Sequence, residues 1–176
     1  LFGGAGSDFI RGGDYGINEL RGGDGNDELQ GGLAYPVGST RDFDNRIYGD
    51  GGDDIIFGGN VEQAGTFNAR RNGLHGGDGN DEIHGGRSGI ANMLFGDAGN
   101  DTIFTGIVGV SNELTVDGGA GDDTVFYESR TSDLNNTALH SVDGGSGFDT
   151  LDLRLDQISW DFDTTVFGPG IGHALK

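Results

Sequence analysis

A chain of 176 residues with 38 glycines, 33% hydrophobic residues and a formal net charge of −19 does not have the composition of an ordinary globular domain. Such acidity excludes nucleic acid as a partner, the lack of cysteine excludes disulfides and thiolate metal sites, and no apolar run reaches transmembrane length. Glycine loses the most backbone entropy on folding, and the 29 acidic residues repel one another unless cations neutralise them, so something beyond an apolar core must hold any fold this chain adopts.

The chain opens at Leu1, already in repeat register and with no signal peptide, as expected of a segment of a longer protein. A nine-residue phrase, Gly-Gly-x-Gly-x-Asp-x-(Ile/Leu/Val)-x, then recurs at Gly3–Arg11, Gly22–Gln30, Gly49–Phe57, Gly76–His84, Gly96–Phe104, Gly118–Phe126 and Gly144–Asp152. In the third and fifth copies Asp50 and Asp97 replace the second glycine. The eighth position is an apolar column: Ile10, Leu20, Leu29, Ile47, Ile56, Leu74, Ile83, Leu94, Ile103, Leu114, Val125 and Leu151. Each is expected mid-way along a three-residue strand, facing a shared core while its two neighbours face the other way.

Between these copies lie rows without the full turn, whose sixth position is Asn18, Asn45, Asn72, Asn92 or Asn112. Steps between successive Asp-bearing turns are 19, 27, 27, 20, 22 and 26 residues, and the excess over 18 always falls in the intervening rows. Two excesses equal a whole row, but such rows would put Gly38 or Gly65 at the apolar position, and Pro36 would interrupt the first. Loop insertions are therefore the favoured reading. The expected object is a two-sided coil over residues 1–152, with one regular acidic edge and one irregular edge. Residues 127–143 fit no clean row.

The regular edge has the chemistry of a calcium turn. Calcium takes six to eight hard oxygens from carboxylates and carbonyls in a flexible cage. A glycine-rich turn points successive carbonyls to one side through φ > 0 conformations. One turn supplies only about three oxygens, so a second turn stacked on it completes the shell, and metal binding becomes part of folding.

With these turns the chain resembles the RTX (repeats-in-toxin) hemolysin-type calcium-binding family. The resemblance covers residues 3–152 and implies an all-β fold, a parallel β-roll (a right-handed β-solenoid). It also implies a ligand rule: carbonyls of positions two and four and the position-six carboxylate of one turn, met by carbonyls one and three and the carboxylate of the next. The first site would then combine Gly4, Gly6 and Asp8 with Gly22, Asp24 and Asp27, and the second Gly23, Gly25 and Asp27 with Gly49, Gly51 and Asp54. The third would join Asp50, Gly52 and Asp54 to Gly76, Asp78 and Asp81, and the fourth Gly77, Gly79 and Asp81 to Gly96, Ala98 and Asp101. Asp97, Gly99 and Asp101 with Gly118, Ala120 and Asp123 make the fifth; Gly119, Gly121 and Asp123 with Gly144, Ser146 and Asp149 make the sixth. Asp50 and Asp97 still offer the carbonyl the rule needs. The implied cofactor is calcium, about six ions, while the neutral Asn edge is expected to be mostly metal-free.

Other features suggest contacts rather than catalysis. Arg21, Arg41, Arg46, Arg70, Arg71, Arg87 and Arg130 all fall in the irregular rows, either as solvated charge or as a surface for an anionic partner such as a polysaccharide. Tyr48, Phe57, Phe95, Phe104 and Phe126 share position nine, an outward stripe expected to be covered within the chain. His75 and His84 share that position on opposite sheets and make a poor joint metal site. No His-Glu-x-x-His occurs, and Gly145-Ser146-Gly147 lies inside a calcium turn without the spacing of a nucleophile elbow. Residues 153–176, with Leu153, Leu155, Ile158, Trp160, Phe162 and Val166, leave the repeat and suggest a capping segment. The resulting expectation is a non-catalytic, secreted calcium-binding module that folds outside the cell after type I export. Two alternatives stay open: a cell-surface or matrix module binding polysaccharide or copies of itself, and the C-terminal part of a secreted protease, lipase or epimerase.

Overall fold

One aliphatic residue per nine-residue row lets a strand bury a single side chain on one face, and two sheets must share that face to enclose it. The computed structural model describes residues 1–14, 17–32, 43–59, 70–86, 91–108, 113–129, 140–155 and 174–175. Among them every regular element is a strand, and the fold is a parallel β-roll.

One sheet holds β1 (Phe2–Ala5), β3 (Ile17–Asp24), β5 (Phe43–Gly51), β7 (Arg70–Asp78), β9 (Ala91–Ala98), β11 (Leu114–Asp117) and β13 (His140–Asp143), hydrogen-bonded in that order. The other holds β2 (Phe9–Arg11), β4 (Glu28–Gln30), β6 (Ile55–Phe57), β8 (Glu82–His84), β10 (Thr102–Val108), β12 (Thr124–Ser129), β14 (Thr150–Leu155) and β15 (Ala174–Leu175). Successive strands alternate between sheets up to β14, so each coil contributes one strand to each, and in-sheet neighbours pair parallel, as in Leu20↔Ile47↔Leu74↔Leu94. The second-sheet strands from β2 to β8 have three residues, as the row length predicts. The first-sheet strands β3, β5, β7 and β9 reach eight or nine because the opening residues of each Asp turn continue the ladder, for example Gly23↔Asp50 and Gly77↔Asp97.

β3 pairs directly with β5 and β5 with β7, and likewise β4 with β6. Among the described residues no strand lies between these paired neighbours, which agrees with loop insertions. The aliphatic column forms one buried cluster. Fully burying each such side chain stabilises by about 1.5–3 kcal/mol, a thin core for so glycine-rich a chain.

Leu114 departs from the expected column. Val116 pairs with Leu94 and Val142, whereas Leu114 pairs with Asn92 and His140, so Leu114 occupies the place of an asparagine. The slip is two residues, which preserves the face a side chain points to, and both Leu114 and Val116 are buried. Val116 and Val142 are core positions the row count missed, because rows of variable length carry no register of their own. Asn112 lies outside the described residues.

The position-nine stripe is two stripes. Tyr48 and Phe95 line the outer face of the first sheet with His75 stacked between them, at 5.0 and 4.5 Å between ring centroids. Phe57, His84, Phe104 and Phe126 stack along the outer face of the second at 4.6, 4.6 and 4.8 Å. The rings cover one another along the coil axis, and the two histidines complete separate ladders on opposite sheets. Arg21, Arg46, Arg70 and Arg71 also lie in first-sheet strands, so part of the arginine set belongs to a sheet and not to the insertion edge. Arg21 pairs with Asp50 and Arg46 with Asp44, while Arg71 is exposed. Arg41, Arg87 and Arg130, with the insertion tips, lie outside the described residues. Of the tail, β15 adds to the outer edge of β14 through Thr150↔Ala174 and Leu151↔Leu175; Ile158, Trp160, Phe162 and Val166 lie outside the described residues.

Candidate metal centre

Each Asp-bearing turn joins a first-sheet strand to the next second-sheet strand, so all seven stack on one edge. Positions two and four of every turn have φ > 0: Gly4 and Gly6 at 118° and 106°, Gly23 and Gly25 at 113° and 121°, and so on down to Gly145 and Gly147. This alternation needs glycine at position four throughout, because the position-four residue of one turn lies against the position-four carbonyl of the turn before. A Cβ on Gly25 would stand 2.6 Å from Gly6 O. Carbonyls two and four therefore face the following turn. The position-four amide donates in the same direction, to the position-three carbonyl of the next turn: Gly6 to Asp24 at 2.7 Å, Gly52 to Asp78 at 2.8 Å, Gly121 to Ser146 at 2.9 Å. Each such carbonyl keeps a second lone pair.

The position-six aspartates form a buried column. Asp27, Asp54, Asp81, Asp101, Asp123 and Asp149 are each at most 3% exposed. One oxygen of each is accounted for: the amide of Asp8 donates to Asp27 Oδ1 at 2.7 Å, Asp27 to Asp54 at 2.7 Å, and the pattern continues to Asp123 and Asp149 at 3.1 Å. The other oxygen is not. Oδ2 of Asp8, Asp27, Asp54, Asp81, Asp101, Asp123 and Asp149 is buried without a hydrogen-bond partner, and these are the buried side-chain atoms left so among the described residues. A buried, unpaired carboxylate oxygen costs free energy unless a cation meets it.

Position one of each turn makes the room. A Cβ on Gly3 would lie 2.5 Å from Asp8 Oδ2 and 2.7 Å from Gly22 O, so the orphaned oxygen and the next turn's first carbonyl border one small space. The same pairing recurs at Gly22 with Asp27 and Gly49, and at Gly76 with Asp81 and Gly96. Among the described residues no three His, Cys, Asp or Glu side chains converge on a metal position. Any cation here must draw most of its oxygens from the backbone, which suits a hard ion such as calcium and not a zinc site of nitrogen and sulfur.

Burial away from water raises Asp54 and Asp101 to about 7 and Asp81 and Asp123 to about 6, from an ordinary 3.8, with neighbouring carboxylates adding to the rise. Without metal, then, the roll binds more protons than the unfolded chain between pH 4 and 7. Metal-free stability should be greatest below the unfolded value near 4 and be lost as the pH rises through about 7. Urea melts of calcium-stripped protein at pH 5 and pH 8 test this, and equal or greater stability at pH 8 would contradict it.

The opposite edge solves the same packing problem without charge. Asn18 Nδ2 donates to Asn45 Oδ1 at 2.9 Å, Asn45 to Asn72 at 3.0 Å and Asn72 to Asn92 at 3.0 Å. The ladder ends where Leu114 takes the next place, and Asn92 Nδ2 turns to Thr105 O at 3.0 Å. Glycines again provide the space, since Cβ atoms on Gly31, Gly58 and Gly85 would meet Asn45, Asn72 and Asn92. An amide both donates and accepts, so it stacks on its own kind. A carboxylate only accepts, and its column is left one partner short.

A further column was not expected. At position five, Asn26, Asp53, Asn80, Asn100 and Asp122 each accept the position-five amide of the next turn, for example Asp53 to Asn26 at 3.1 Å and Asn80 to Asp53 at 2.8 Å. Its signal was the recurrence of short amide and acid side chains at a variable position of the phrase.

The model of the RTX calcium-binding nonapeptide repeat matches residues 1–14, 13–33, 39–60, 71–88, 89–107 and 115–129, more than half of the chain. No curated protein and no solved structure matches it. The seventh turn, Gly144–Asp149, lies beyond those matches, yet Asp149 accepts from Asp123 in the same column. With the family model falling on the turns whose stacked carbonyls and orphaned carboxylates line the acidic edge, the chain belongs to the RTX calcium-binding nonapeptide repeat family.

Proposed function

We propose that this segment is a calcium-operated folding module of a secreted protein. About six ions lie between the seven stacked turns, each held by the carbonyls and carboxylate pairs that run from Asp8–Asp27 to Asp123–Asp149. When bound, calcium would supply the positive charge that the orphaned Oδ2 atoms lack. The chain's own residues do the rest: glycines keep the space open, alternating φ aims the carbonyls, and the aliphatic column aligns the coils. In a calcium-poor compartment the Asp column opposes coil formation, so the chain stays extended and exportable; in a calcium-rich exterior it zips.

The observation that carries this reading is the row of seven buried carboxylate oxygens without a partner. The segment's role is structural rather than catalytic, and a cap formed by residues 153–176 closes the end of the roll. Removing calcium tests the proposal. With chelator the far-UV circular dichroism should become that of coil, and added calcium, but not magnesium, should restore the β signal. A spectrum indifferent to chelator would refute it.

A further inference from the structure

Two of the seven turns break the glycine rule, and they do so in the same way. Asp50 and Asp97 stand at position two with φ 75° and 72°, whereas the glycines at that position range from 90° to 118°. Left-handed backbone is strained for a residue with a side chain, less so for Asp than for most. The stacked carbonyl of the preceding turn allows no inward Cβ: one placed on Gly23 would collide with Gly4 O. The Asp side chains must therefore swing away from the metal edge toward the outer face of the first sheet.

A basic side chain from the preceding coil meets each of them there. Arg21 Nη1 lies 3.0 Å from Asp50 Oδ1, with the guanidinium 4.3 Å over the ring of Tyr48, the residue just before the Asp50 turn. His75 Nδ1 lies 3.3 Å from Asp97 Oδ2, with its ring 4.5 Å from Phe95, just before the Asp97 turn. The sequence repeats the device over pairs of coils: Arg21-Gly-Gly faces Tyr48-Gly-Asp, and His75-Gly-Gly faces Phe95-Gly-Asp. At neither place does the Arg or His turn carry an Asp at position two, nor the Asp turn an Arg or His at position nine.

We infer that Arg21 and His75 are positioning residues for calcium: each holds the left-handed Asp of the next turn by its carboxylate and so keeps that residue's backbone carbonyl aimed at the following coil. The inference rests on the calcium reading above. It assigns the side chains of Asp50 and Asp97 a role apart from coordination, and it places the control of two sites, those between the third and fourth and between the fifth and sixth turns, on residues outside the turn itself. Glycine needs no such help, which is why the other turns lack the pair.

Calcium-release kinetics test it: loaded protein is mixed with excess fluorescent chelator, using the wild type, Arg21→Ala, Asp50→Gly and the double variant. Arg21→Ala should release a subset of the ions about two- to fivefold faster, the scale of an exposed ion pair with a stacking contribution. In the Asp50→Gly background the same substitution should change nothing, because glycine adopts the conformation unaided. His75→Ala and Asp97→Gly should behave alike. Equal acceleration in both backgrounds would overturn the inference and leave Arg21 a simple packing partner of Tyr48; no acceleration in either would overturn it too. A wild type that holds no calcium would instead defeat the calcium reading, so the two failures are distinct.

Discussion

Replacing Asp54, Asp81 and Asp101 together by asparagine should yield a roll that folds without calcium and binds only about a third of its ions. In the roll each of these carboxylates is buried to 1–2% exposure with Oδ2 unpaired. Asparagine preserves the oxygen that accepts the amide of the preceding coil. It replaces the orphaned oxygen by an amide group beside the next turn's first carbonyl, Gly76, Gly96 or Gly118, which can accept from it. The asparagine edge already shows such ladders satisfied at 2.9–3.0 Å. Every pH unit by which burial raises a carboxylate reports about 1.4 kcal/mol of destabilisation of its charged form, so removing three such charges should strengthen the metal-free roll by several kcal/mol. By the ligand rule, the four sites from the second to the fifth turn interval lose at least one carboxylate. Circular dichroism in chelator and calorimetric stoichiometry read the two effects. A triple variant that stays unfolded in chelator would show that the Asp column is not what keeps the metal-free chain open.

The reverse exchange should be severe. Asn72→Asp puts a carboxylate at a position with 0% exposure, where the amide now donates to Asn92 Oδ1 at 3.0 Å and to Gly59 O at 3.4 Å. Both contacts become acceptor against acceptor, and no stacked Asp turn is present to draw in a cation. The expected loss is about 3–5 kcal/mol, the usual cost of an uncompensated buried charge. Unlike the Asp column, it should persist at saturating calcium. Lowering the pH should recover part of it, since a protonated carboxyl can donate again. Urea midpoints with and without calcium decide the matter; a variant as stable as the wild type, or one that gains a calcium ion, would mean that this edge can also act as a metal edge.

The second-sheet strands and the acidic edge were legible because their signals lie within nine residues. Ile10, Leu29, Ile56, Ile83, Ile103, Val125 and Leu151 keep a fixed distance from their turns, and all are buried where expected. The first-sheet register was less so. Its strands follow segments of unequal length, and nothing local distinguishes Leu114 from Val116 as the partner of Leu94; pairing with β9 and β13 decides it. The aromatic stripe looked like one surface in sequence because position nine is shared, yet alternating rows go to opposite sheets. The arginines of the intervening rows looked like a loop edge for the same reason, although Arg21, Arg46, Arg70 and Arg71 belong to strands.

By itself the sequence determined the coil period, the strand type and the identity of the edge that carries the aspartate column. Those follow from local chemistry: a turn that needs glycine at its fourth position, a carboxylate at a constant offset and one aliphatic residue to bury. Only the tertiary structure decided which oxygens of that carboxylate find a partner, because Oδ1 is satisfied by an amide some twenty or more residues away while Oδ2 meets none. It also decided that the asparagines close on one another, and that Arg21 and His75 reach the two strained aspartates of the next coil. These are contacts between stacked rows, and their partners are set by how the coils align along the axis, which no single nine-residue phrase contains.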